Sequence, residues 1–152
     1  MRSLVLAFSV VSLTGSVSLS IAPQQHPQLA GHWVQDTPDP VRFGVGPTCG
    51  MDCVISQDEK TLTVKIGALA AASFTLDGKP KTTVASMGPY SAETTTMARW
   101  EGAVLVIVRS TTGGTMKQST NRLSLRDGHL LIEASGSGRG SDGTKFVYRL
   151  VK

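Results

Sequence analysis

Apolar and polar residues alternate with a period of two through the second half of this chain, and turn-forming pairs interrupt the alternation at nearly even spacing: Asp77-Gly78, Glu101-Gly102, Gly113-Gly114, Asp127-Gly128 and Asp142-Gly143. Asp-Gly and Gly-Gly accept the positive φ angles of tight hairpin turns, so the runs of Val, Ile, Leu and Thr between them read as consecutive antiparallel strands. The clearest hairpin spans 117–135. With Asp127-Gly128 as its turn, Leu125 opposes Leu130, Leu123 opposes Ile132 and Asn121 opposes Ala134. On the other face Arg126 opposes His129, Ser124 opposes Leu131, and Arg122 opposes Glu133 as a cross-strand ion pair. One face is nearly all apolar and the other mostly polar, which fixes the register.

The same reasoning places strands at 31–36, 51–56, 61–66, 73–76, 82–87, 92–100, 103–110 and 144–151. An Asp58-Glu59 turn sets Ile55 opposite Leu62, Cys53 opposite Val64 and Met51 opposite Ile66. A Glu101-Gly102 turn puts Trp100, Ala98, Leu105 and Ile107 on an inner face, and Met97, Val104, Val106 and Val108 on the other. That second set is too apolar to stand in open water. Residues 37–50 hold Pro38, Pro40, Gly44, Gly46, Pro47 and Gly50, which makes them a long loop. Nine or ten strands in sequence order, with no helical period, predict an all-β up-and-down meander. Closing it into a small barrel of 8–10 strands removes the unpaired edges. A two-sheet β-sandwich is the alternative.

The first 22 residues fall outside this pattern. Arg2, the apolar stretch 4–11 and the small residues 16–22 have the form of a secretory signal peptide. Residues 23–28 then read as a disordered mature N-terminus, and 29–152 as one barrel domain, secreted or periplasmic. Removing Arg2 with the leader leaves 14 basic against 11 acidic residues, a net +3. The basic residues are scattered without a stripe, which argues against nucleic acid. No second apolar segment is long enough to span a membrane. In an oxidising compartment Cys49 and Cys53 are expected to form a local disulfide. Their three-residue spacing is not that of redox-active pairs, and no His lies nearby to complete a metal site.

Catalytic motifs are absent: there is no Gly-x-Ser-x-Gly elbow, no His-Glu-x-x-His and no Walker sequence. The run 136–143, with Arg139 at its centre, resembles a phosphate-cradling loop but joins two strands rather than leading into a helix. His32 and His129 read as exposed or structural, and Thr94, Thr95 and Thr96 as strand formers. No enzyme activity, cofactor or metal is expected.

Gly31-His32-Trp33 opens the first strand, and Tyr148-Arg149 lies in the last. On these residues the chain resembles the calycin superfamily, the lipocalins and fatty-acid-binding proteins. Their first strand begins Gly-x-Trp, and a basic residue of the last strand covers that Trp. The resemblance implies that Gly31 and Trp33 sit at the barrel bottom, with Arg149 as the cation–π partner of Trp33. It also implies a small hydrophobic ligand as partner. The expectation is an exported lipocalin-like barrel that binds a small, mainly apolar molecule. The alternative is a filled barrel that meets a partner through the strip at Met97, Val104, Val106 and Val108.

Overall fold

The structure is a computed structural model that describes residues 26–36, 48–87, 90–112, 118–136 and 143–151. The expected leader 1–22, loop residues 37–47, the Gly113-Gly114 turn and residues 137–142 with Arg139 lie outside the described residues. Ten strands follow in chain order: β1 Gly31–Gln35, β2 Asp52–Gln57, β3 Thr61–Lys65, β4 Ala72–Thr75 and β5 Lys81–Met87, then β6 Tyr90–Glu101, β7 Val104–Thr111, β8 Gln118–Arg126, β9 His129–Gly136 and β10 Thr144–Leu150. All pairs are antiparallel in one sheet of order β4-β3-β2-β1-β10-β9-β8-β7-β6-β5. The first and last strands are neighbours, as an up-and-down barrel requires, and one continuous sheet sets the sandwich aside.

The β8–β9 register is the expected one at every pair from Asn121↔Ala134 to Arg126↔His129. Its turn has φ of 51° at Asp127 and 78° at Gly128. Two consecutive positive φ angles define the type I′ turn, whose twist matches that of the flanking strands. The cross-strand ion pair differs from expectation. Arg122 reaches across β7 to Glu101 at the end of β6 at 3.0 Å, and Glu133 pairs with Lys145 on the neighbouring β10 at 3.0 Å. The β6–β7 hairpin likewise keeps its expected pairs, Trp100↔Leu105 and Ala98↔Ile107.

The β2–β3 hairpin is shifted by two residues. Ile55 opposes Val64 and Gln57 opposes Leu62. Asp58 Oδ1 accepts hydrogen bonds from the amides of Lys60 and Thr61, both at 2.8 Å, and this side-chain cap builds a longer turn. A shift of two keeps every side chain on its face, so Cys53, Ile55, Leu62 and Val64 still point inward. Met51 precedes the ladder and is exposed.

One apolar cluster occupies the concave side, from Trp33, Ile55, Leu62, Val64 and Phe74 to Leu105, Ile107, Leu123, Leu130, Ile132 and Tyr148. The convex strip is not open. Val106 is only 2% exposed, and its cross-strand neighbours are Arg99 and Arg122, both bound to Glu101. Their alkyl stems cover the valine while the charged heads stay in water. The two guanidiniums hold the Glu101 carboxyl below its ordinary pKa, the Arg99 hydrogen bond being the larger cause.

Residues 26–29 make contacts with two hairpin ends. The His26 ring stacks on Trp100 with centroids 4.7 Å apart, and its Nδ1 lies 3.3 Å from the Gly102 carbonyl. Gln57 Nε2 donates to the Pro27 carbonyl, and the Leu29 amide donates to Gln57 Oε1 at 2.8 Å. Leu29 is fully buried. Segment 26–30 therefore closes the end of the barrel where β2 meets β3 and β6 meets β7.

Candidate functional site

Trp33 lies at that closed end, 3% exposed, with its Nε1–H donating to the Leu29 carbonyl at 2.9 Å. Gly31 is beside it: a Cβ there would stand 2.5 Å from Leu150 Cδ1 and 3.3 Å from Trp33 Nε1. The pairing of Arg149 over Trp33 is not formed. The β1–β10 register sets Trp33 opposite Leu150 and Val34 opposite Arg149. Alternation then sends Tyr148 and Leu150 inward and Arg149 outward. Arg149 Nε lies 3.5 Å from Asp36 Oδ1, and His129 Nε2 lies 3.5 Å from Asp36 Oδ2. His32 also faces out, 3.0 Å from Asp52. Both imidazoles lie at the surface beside carboxylates and are not among the residues that line the cleft described below.

Cys49 and Cys53 form a disulfide, and both are fully buried. The turn they close enters the barrel. Tyr148 Oη donates to the Gly50 carbonyl at 2.6 Å, and the Thr48 amide donates to Asn121 Oδ1 at 3.1 Å. Asn121 is the buried polar side chain among the described residues, and this bond accounts for its place on an otherwise apolar face. Burial pushes the Tyr148 phenol above its ordinary pKa. Turn 48–50 thus plugs the half of the interior walled by β2, β8 and β10.

The other half is open. No ladder joins β4 to β5, although the sheet curls far enough for β4 to touch β6. The Gly78 amide donates to the Ala98 carbonyl at 3.0 Å, which ties the β4–β5 connection to β6. A cleft of about 450 Å³ lies along this seam. Its floor carries two cross-strand rows: Lys81, Thr96 and Arg109, then Thr83, Thr94 and Thr111. Phe74, Ala72 and Ala98 supply the apolar wall, and Lys79 stands at the rim. The threonines are linked: Thr94 Oγ1 is 3.3 Å from Thr111 Oγ1, and Thr83 Oγ1 donates to the Thr94 carbonyl at 3.4 Å. The volume lies within the range of small-molecule sites.

The cleft was missed at the sequence level, because Thr94 and Thr96 read as strand formers and Lys79, Lys81 and Arg109 as scattered charge. A signal was present. The Glu101-Gly102 turn sets Thr96 opposite Arg109 and Thr94 opposite Thr111 once the register is carried far enough along the hairpin. Of an interior expected to be lined by Val, Ile, Leu, Met and Thr, the cleft shows the Thr and not the Val, Ile or Leu. Those side chains pack on one another in the core, and the cavity persists where shorter, polar Thr stands in their place. Among the described residues, no three His, Cys, Asp or Glu side chains gather as metal ligands would. No helix among them is long and apolar enough to cross a membrane.

No family model matches the sequence, and no curated protein matches it. Among solved structures the chain is similar to a single-residue mutant of the fluorescent protein UnaG. The identity is 19%, the TM-score is 0.53, and the match covers 82% of this chain and 96% of that one. At this identity the likeness is one of fold, an antiparallel up-and-down sheet curled towards a barrel.

Proposed function

We propose that this chain is an exported barrel that binds a small molecule with an apolar body in the seam cleft. The observation that carries the reading is the cleft itself: about 450 Å³, half open, with Phe74, Ala72 and Ala98 as an apolar wall facing a polar floor. Export rests on the form of residues 1–22, and the Cys49–Cys53 bridge suits an oxidising compartment.

Native mass spectrometry of protein secreted by its own host tests both parts. The expected result is a chain lacking the leader and two hydrogens, with a mass excess that organic extraction removes. An intact N-terminus would overturn export, and a bare polypeptide mass would favour a filled barrel. That second reading has one observation behind it, the turn 48–50 buried inside the sheet. Its docking strip has lost its motive, because Val106 is covered and Met97, Val104 and Val108 are half-buried.

A further inference from the structure

The reading of the seam as a ligand site leaves open what the ligand carries, and the following inference rests on that reading. We propose that the cleft selects ligands whose polar end bears two negative charges on one small group, a phosphate monoester or a dicarboxylate.

Charge pairing across the molecule is the first observation. On the convex face Arg99, Arg122, Lys145 and Arg149 each sit against a carboxylate. At the cleft Lys79, Lys81 and Arg109 are in no ion pair with the described residues, and no Asp or Glu is among the lining residues. Three cations around one cavity repel one another, and a singly charged ligand would leave most of that repulsion in place. A dianion relieves it, and the low-dielectric wall of Phe74 strengthens the attraction.

Register is the second observation. Lys81, Thr96 and Arg109 form one cross-strand row on the concave face. Adjacent strands lie about 4.8 Å apart, so the Lys81 and Arg109 backbones stand about 10 Å apart with Thr96 between them. Both side chains are long enough to close on a group lying over the Thr96 hydroxyl. That hydroxyl makes no hydrogen bond to the described residues and is free to donate. Arg109 supplies a planar fork that matches two oxygens of a phosphate or carboxylate, and Lys81 supplies a point charge.

The test uses the full mature chain and four fluorescent probes with one apolar body: naphthyl phosphate, a naphthalene dicarboxylate, naphthoate and neutral naphthol. The two doubly charged probes are expected to bind about tenfold more tightly than naphthoate, and more weakly as salt is raised. Whichever of the two binds better identifies the source of the charge. Lys81→Met and Arg109→Met are each expected to weaken the doubly charged probes about tenfold and leave naphthol unchanged. Arg126→Gln, at the exposed β8–β9 turn, is the control and should change nothing. Both cleft side chains are exposed, and far-ultraviolet circular dichroism checks that the variants fold. Should a variant fail that check, the ranking of the four probes on the unaltered protein still decides. Equal binding of naphthol and naphthyl phosphate, unmoved by salt, would overturn the inference and leave the ligand-binding reading intact. Binding of none of the four would overturn both.

Discussion

Tyr148 concentrates several of the fold's demands in one side chain. It is fully buried on β10, and its hydroxyl donates to the Gly50 carbonyl at the tip of the disulfide turn. Burial raises its pKa, so the folded chain keeps the phenol proton. The unfolded chain loses that proton near pH 10. Above that point the unfolded state binds fewer protons than the folded state, and stability falls as pH rises. Tyr148→Phe is expected to cost about 1 kcal/mol at neutral pH through the lost hydrogen bond, while removing part of the alkaline slope. Urea midpoints of both proteins at about pH 8 and about pH 11 check this, the wild type falling more steeply than the variant. Trp33 was legible as an inward residue from its motif. The place of Arg149 on the outer face follows from its adjacency to Tyr148 and from a β1–β10 register that no tight turn fixes. Lys81 and Arg109 could not be read as a site from local sequence, because four strands must meet before they share a cavity.

Turn chemistry decided which registers the sequence could specify. Asp127-Gly128 adopts two positive φ angles and Glu101-Gly102 one, and both hairpins pair as their turns dictate. Asp58-Glu59 carries no such preference, so the Asp58 side chain captured two amides and moved β2 against β3 by two residues. The disulfide turn was legible as a bond but not as an interior element. Nothing in Thr48-Cys49-Gly50 announces that its amide and carbonyl will meet Asn121 and Tyr148 from distant strands. The bridge closes a very short loop, so its chain-entropy contribution is about 2 kcal/mol. Cys49→Ser/Cys53→Ser is expected to lose about that much, and to release the Tyr148 and Asn121 bonds as the turn leaves the core. Thermal unfolding gives the first quantity. The second appears as faster hydrogen exchange at the Thr48 amide than in the oxidised protein.

At the scale of the molecule the sheet is unequal along its width. Strands β7, β8 and β9 have ladders on both sides and inner faces in the core cluster, whereas β5 has one ladder, to β6. Every residue from Lys81 to Ser86 is exposed, on both faces of that strand. A strand that buries so little is held by its hydrogen bonds and by the tie of Gly78 to Ala98. Local opening follows burial and contact density, so β5 should open far more often than the strands around Leu105, Leu123 and Ile132. The cleft lies between this weak strand and β4, which also presents a free edge. A ligand seated there would touch both sides of the seam and raise the cost of opening β5 in proportion to its affinity. Hydrogen–deuterium exchange measures this directly. In the free protein, peptides covering 81–87 should exchange earliest among the strands and those covering 121–134 last. Saturation with naphthyl phosphate should slow 72–75 and 81–87 selectively and leave 129–136 unchanged. Protection confined to the β8–β10 half would move the binding site to the plugged side, where Tyr148 and Asn121 already hold the disulfide turn.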